Sequence, residues 1–154
     1  MAGSVGHASE SALSVSGEVK SPLTLTVAEL KNLPTSTITV AEHDGTTAKY
    51  DGVFLHDILN RAGVPFGESL RGKDMQLCLL VKAADGYKAA FALAELDPAV
   101  TDKKVLLAFR RDGKELDNEL GPLRLVIPDE KRHSRWVRRV TELEVIRLTM
   151  PPKQ

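Results

Sequence analysis

The residues best suited to chemistry stand in one run, Lys131-Arg132-His133-Ser134-Arg135-Trp136-Val137-Arg138-Arg139. Five of these nine residues are Lys or Arg and none is acidic, so the run carries +5 and the remainder of the chain sums to −5. Guanidinium forks donate two parallel N–H bonds to phosphate or carboxylate oxygens, and a nearby hydroxyl adds another donor, so the composition suits an anion. The alternative is a solvated basic loop paired with Glu142, Glu144 or Asp129. Trp136 is the only tryptophan, and an indole inside a basic run argues for a folded wall rather than a free loop. His43 stands between Glu42 and Asp44, either as part of a solvated turn or as an acid/base or metal cluster. His56 precedes Asp57 beside an apolar stripe, where a helix-surface histidine is the default. Cys78 falls in an apolar stretch and reads as an inert small hydrophobe. No Gly-x-Ser-x-Gly elbow, HExxH, CxxC or P-loop occurs.

These groups must be positioned by a chain of 154 residues with 42% hydrophobic content, the size of one domain. Twenty-one Lys plus Arg balance twenty-one Asp plus Glu, so no global field draws the protein to nucleic acid, and any basic site is local. The apolar runs Leu77–Val81 and Val105–Phe109 have five residues each, far from the ~20 of a membrane helix, so no membrane span is expected. One cysteine excludes an internal disulfide and a multi-thiolate metal site. Residues 1–11 are small and polar and read as a disordered lead-in without a secretory signal. Two origins stay open: a cytoplasmic protein, or a processed chain whose export signal has been replaced by Met1. Residues 12–150 form the single domain, and Pro151 to Gln154 a frayed end.

Alternation over Ala12 to Val19 predicts a strand. Thr26 and Glu29 have the spacing of a capping box, opening a helix that Pro34 stops. Ser36 to Ala41 is a strand and His43-Asp44-Gly45 a turn. Tyr50 to Val53 leads into a helix with Leu55, Ile58, Leu59 and Ala62 on one face, ended by Gly63 and Pro65. Met75 to Lys82 reads as a strand buried on both faces, joined through Asp85-Gly86 to a strand over Tyr87 to Leu93. Ala94 to Asp97 is one helical turn. Val105 to Arg110, Leu123 to Ile127 and Val140 to Leu148 complete the strands, with Asp112-Gly113 the strongest turn signal. About seven or eight strands and two short helices, without regular strand–helix alternation, give an α+β, β-rich mixed-sheet domain.

Four of these segments, in order, resemble the sulfite-oxidase-type molybdopterin-binding domain family. Tyr50-Asp51-Gly52-Val53-Phe54-Leu55-His56-Asp57-Ile58-Leu59 is similar to its "W-x-G-V-P-L-x-D-L-L", and Asp85-Gly86-Tyr87 through Leu93 to its "D-G-Y-x-A-S-I-P-L". Val105 to Ala108 with Arg111 to Leu116 resembles "V-L-L-A-x-x-x-N-G-x-x-L". Gly121 to Pro128, leading into His133-Ser134-Arg135-Trp136-Val137, resembles "G-x-P-L-R-L-V-V-P" leading into "S-V-K-W-L". The likeness runs from Leu13 to Leu148 and implies the sulfite oxidase molybdopterin-binding-like fold. It also implies a cofactor, a pterin that carries two sulfur ligands to molybdenum and ends in a phosphate. By the same resemblance, Arg132, His133, Ser134 and Arg135 lie against the pterin, with His133 at the family's serine, Ser134 at its valine and Arg135 at its lysine. Tyr87 matches the active-site tyrosine. Small members are often exported, which favours a periplasmic location.

The resemblance breaks at the metal. The family binds molybdenum through a cysteine at the end of the strand before the helix, and Ala41 or Glu42 stands there. Cys78 lies on a different strand, and alanine offers no ligand. Three functions follow: a binding module for a pterin or other anionic small molecule, without the redox chemistry; a molybdenum oxidoreductase with an altered ligand set; or an accessory protein that uses the fold to contact a partner. Tyr87 and the basic run favour the first two over the third.

Overall fold

The computed structural model describes residues 12–149. The expected lead-in over 1–11 and frayed end over 151–154 lie outside the described residues. In chain order the elements are β1 (Ala12–Gly17), β2 (Leu23–Thr26), α1 (Val27–Lys31), β3 (Ser36–Ala41), β4 (Thr47–Phe54), α2 (Leu55–Arg61), β5 (Leu77–Ala83), β6 (Lys88–Ala92), β7 (Leu106–Arg111), β8 (Lys114–Glu115), β9 (Arg124–Val126) and β10 (Val140–Arg147). Short 3-10 turns occupy Gly67–Ser69, Gly72–Gln76 and Leu93–Leu96.

One sheet has the order β2-β1-β10-β5-β6. β1 runs parallel to β10 and the other neighbours are antiparallel, so the sheet is mixed. The second runs β3-β4-β7, with β8 and β9 pairing successive parts of the edge of β7 that β4 leaves open. A single buried cluster joins them, with Leu13, Val15, Leu79, Val81, Phe91, Leu143 and Val145 from the first sheet and Val53, Leu106, Leu107 and Leu125 from the second. Each such side chain contributes about 1.5–3 kcal/mol by leaving water.

Local signals explain most of the elements. Thr26 Oγ1 accepts from Glu29 N at 3.1 Å and Glu29 Oε1 from Thr26 N at 2.9 Å, the reciprocal bonds of a capping box. Asp112 and Gly113 both take positive φ, 50° and 81°, as a tight two-residue hairpin between β7 and β8 requires. Gly52 sits where β4 shifts register against β7, and a Cβ there would meet Leu107 O at 2.2 Å. The glycine is needed because the two backbones close to a distance that no side chain fits.

Three expectations are corrected. Ten strands form among the described residues, β2, β4 and the two-residue β8 adding to the seven located in the sequence. Tyr50 to Val53 belongs to an eight-residue strand, β4, rather than to a lead-in to the helix. β5 is fully buried on one face only: Leu77, Leu79, Val81 and Ala83 are buried and Cys78, Leu80 and Lys82 half-buried. The second face is mixed because Lys82 reaches Glu144 at 2.7 Å and Glu142 at 3.6 Å on β10, an ion pairing that an apolar run cannot announce.

Candidate functional site

Two connections meet over the second sheet. The β3–β4 turn is closed by Glu42 N donating to Thr46 O at 2.7 Å and Gly45 N to Glu42 O at 3.1 Å. The long β9–β10 segment is pinned through Leu125 N to Val137 O at 2.9 Å and Val140 N to Leu123 O at 2.9 Å. Trp136 and Val137 are buried, which makes this part of the basic run a folded wall.

On that wall three rings form a column. His133 lies parallel to Trp136, with ring centroids 3.6 Å apart and planes 9° apart. His43 approaches His133 at 4.0 Å and 43°. Beneath them Arg124, buried in β9, places its guanidinium carbon 5.2 Å from the Trp136 ring centre. Its Nη1 donates to Tyr50 Oη at 2.7 Å, Tyr50 donates to Glu42 Oε2 at 2.7 Å, and Arg111 Nε donates to the same oxygen at 3.0 Å. Burial raises the Tyr50 hydroxyl above its ordinary range, and the bond to Glu42 adds to this. Burial pushes the Glu42 carboxyl up, but its bonds to Tyr50 and Arg111 and the two arginine charges outweigh this and hold it low. Burial, then the charges of His43 and Arg124, lower His133, so its ring is neutral at neutral pH.

Two cavities share this wall. One of about 380 Å³ lies between Ala41, Glu42 and His43 on one side and Lys131, His133 and Trp136 on the other. A second, of about 200 Å³, is lined by Asp85, Tyr87, His133, Ser134, Trp136 and Arg138. Three polar atoms here are buried without a hydrogen-bond partner among the described residues: Arg124 Nε, His133 Nδ1 and Trp136 Nε1. Each such group costs about 1–3 kcal/mol when left unpaired.

The structure brings most of the expected site residues together. Tyr87 Oη donates to Ser134 O at 2.5 Å, and Tyr87, His133 and Ser134 line the smaller cavity. Arg132 is exposed and lines neither cavity. Arg135 turns to Glu95 at 2.9 Å and to Glu130, donates to Ala90 O at 2.8 Å and lies 4.2 Å over the Phe91 ring. Lys103 bridges the same carboxylates at 3.1 and 2.8 Å. Arg135 therefore fastens the basic segment to the first sheet, while Lys131, Arg132 and Arg138 form no ion pair with a described residue. Asp44 departs from its neighbours to cap Thr46 N at 3.0 Å, and no group of three His, Cys, Asp or Glu converges on a metal position among the described residues. Cys78 pairs with Ala92 and Ile146 in the first sheet, whereas Ala41 ends β3 in the second.

The donor set does not fit molybdenum held by a thiolate. Ala41 has no ligand atom, Glu42 Oε2 already accepts two bonds, and Cys78 is on the other sheet. What surrounds the two cavities instead is flat rings, buried ring nitrogens and the cations Lys131 and Arg138 without an ion pair among the described residues. Tyr50 and Arg124 escaped attention as site residues, and His43, weighed with Glu42 and Asp44 as an acid/base or metal cluster, instead stacks on His133. The one legible sign was Arg124 in a strand otherwise made of apolar residues; the approach of His43 to His133 spans 90 positions and had no local trace.

Comparison with known proteins agrees with this architecture. No curated protein matches the sequence significantly. Among solved structures, the sulfane dehydrogenase SoxCD from Paracoccus pantotrophus is similar in fold, with a TM-score of 0.70 and 24% identity over 88% of this chain. The chain spans 38% of the length of that protein's chain. The profile of the family described as "Oxidoreductase molybdopterin binding domain" matches residues 3–151, nearly the whole sequence. On that match the chain belongs to the oxidoreductase molybdopterin-binding domain family.

Proposed function

We propose that this domain binds a pterin or a comparable anionic small molecule in the cleft between the β3–β4 turn and the basic segment, without thiolate-ligated molybdenum chemistry. The observation that carries the reading is the pair of buried, unpartnered ring nitrogens, His133 Nδ1 and Trp136 Nε1, on the wall shared by two polar cavities. A protein retains such groups at a cost, and a ligand with hydrogen-bonding edges offsets it. Lys131 and Arg138 supply charge at the two cavities, and Arg132 adds to the local field from the exposed side. Tyr87 and Ser134 close the rim through their mutual bond. Arg135 acts by position, because its carboxylate and backbone contacts hold the segment that carries His133 and Trp136.

Calorimetry with 6-carboxypterin and with inorganic phosphate tests this. Saturable heat with the wild type that weakens in a Lys131→Ala/Arg138→Ala variant supports the site, and absence of heat with the wild type for both ligands refutes it. Metal analysis of protein made in cells that synthesise the cofactor tests the other half. A trace-level result is expected, and molybdenum near one atom per chain overturns this half of the proposal in favour of a molybdenum site with an altered ligand set.

A further inference from the structure

His43 differs from the two rings below it. Its centroid lies 4.0 Å from that of His133, closer than the ~4.5–7 Å of ordinary aromatic pairs, so it covers a face of His133 rather than touching its edge. Trp136 already holds one face in parallel contact at 3.6 Å, which leaves His43 on the other. Trp136 is 4% exposed, and its backbone N–H donates to His133 O at 3.0 Å, so the lower pair is fastened both by burial and by backbone. His43 is exposed, on a turn whose bonds come from Asp44 and the backbone, and its ring makes no hydrogen bond or ion pair with a described residue. It borders the larger cavity together with Lys131.

We propose that His43 is a displaceable cap: a flat, anionic heteroaromatic ligand takes its place on the open face of His133, extends the Trp136–His133 stack, and directs its negative group to Lys131. This deepens the proposed function, on which it rests, by naming what the cleft selects. Planarity is required because His133 is held flat on Trp136, and only a flat ring keeps full contact with its open face. Aromaticity is required because a saturated ring of the same charge replaces the lost His43 contact poorly. The charge is set by what remains unpaired in this cavity: Glu42 accepts from Tyr50 and Arg111, Glu130 is held by Arg135 and Lys103, and Arg124 is bonded to Tyr50, which leaves Lys131 as the lining charge without an ion pair among the described residues.

The experiment is calorimetry on the full chain, as wild type, His43→Ala and His133→Ala, with 6-carboxypterin and with cyclohexanecarboxylate. Thermal melts check that each variant is folded; a His133→Phe variant, which keeps a ring on Trp136, serves if His133→Ala is not. Removing the cap is expected to tighten 6-carboxypterin about two- to tenfold, the range that one aromatic contact implies, while cyclohexanecarboxylate is unchanged. Loss of the His133 ring is expected to weaken the pterin most, and His133→Phe, which keeps the stacking face and loses Nδ1, to weaken it less than His133→Ala but measurably against the wild type. If the wild type binds 6-carboxypterin and His43→Ala binds it equally or more weakly, the cap is overturned and the ligand reading stands. If no form binds it, the ligand reading fails and the cap with it.

Discussion

Replacing Glu95 by glutamine probes the contact that turns Arg135 away from the cleft. Burial pushes the Glu95 carboxyl up, but the bonds from Arg135, Ala92 N and Lys103 prevail and lower it from 4.5 to about 2. At ~1.4 kcal/mol for each tenfold in proton affinity, that displacement has a ceiling of ~3 kcal/mol. The Glu95 side chain is 30% exposed, and solvent screening reduces the expected contribution to about 1–2 kcal/mol. The carboxyl is depressed in the folded state, so the unfolded chain takes up its proton first. The stabilisation is complete above about pH 4.5 and drains away as the pH falls from there through about 2. Glu130 is lowered in the same direction by Arg135 and Lys103, against burial, so part of the acid sensitivity survives in Glu95→Gln. Urea unfolding, followed through the sole tryptophan on this segment, measures both proteins from neutral to acid pH. Glu95→Gln is expected to lose about 1–2 kcal/mol near neutrality and to decline less steeply in acid. Parallel curves, or a variant as stable as the wild type at neutral pH, would refute the reasoning.

Two further substitutions address the frame around the site. Tyr50→Phe removes the hydroxyl between Arg124 Nη1 and Glu42 and leaves a buried cationic donor unpaired; urea titration is expected to show a loss of about 1–3 kcal/mol. Gly52→Ala brings a methyl to 2.2 Å from Leu107 O, a clash of backbone against side chain that no rotamer relieves. It is expected to cost more than about 3 kcal/mol or to abolish soluble expression, and a wild-type melting temperature would show that β4 and β7 can part there.

Where the signal was local, the sequence was legible. The capping box at Thr26 and Glu29, the Asp112-Gly113 hairpin and the apolar stripe of α2 each follow from backbone chemistry within a few residues. The family likewise came from short strings that keep their order along the chain. The β-rich mixed class followed too, though β2 has too few residues to print a clear alternation, and the outer face of β5 hid its exposure under an apolar run.

The sequence by itself determined what the site contains: a basic segment with one tryptophan, the tyrosine after Asp85-Gly86, and no cysteine near Ala41. Only the tertiary structure decided how those groups are spent. Charge density in a sequence counts cations without their partners, and Arg135 meets Glu95 across 40 positions, so its charge is balanced within the fold. His133 stands three residues before the only tryptophan, yet nothing in its sequence surroundings shows that the folded segment sets it between Trp136 and His43. Ion pairs and ring stacks depend on distances of 3 to 4 Å set by strands far apart in the chain, as the 2.9 Å bond of Arg135 and the 4.0 Å approach of His43 show.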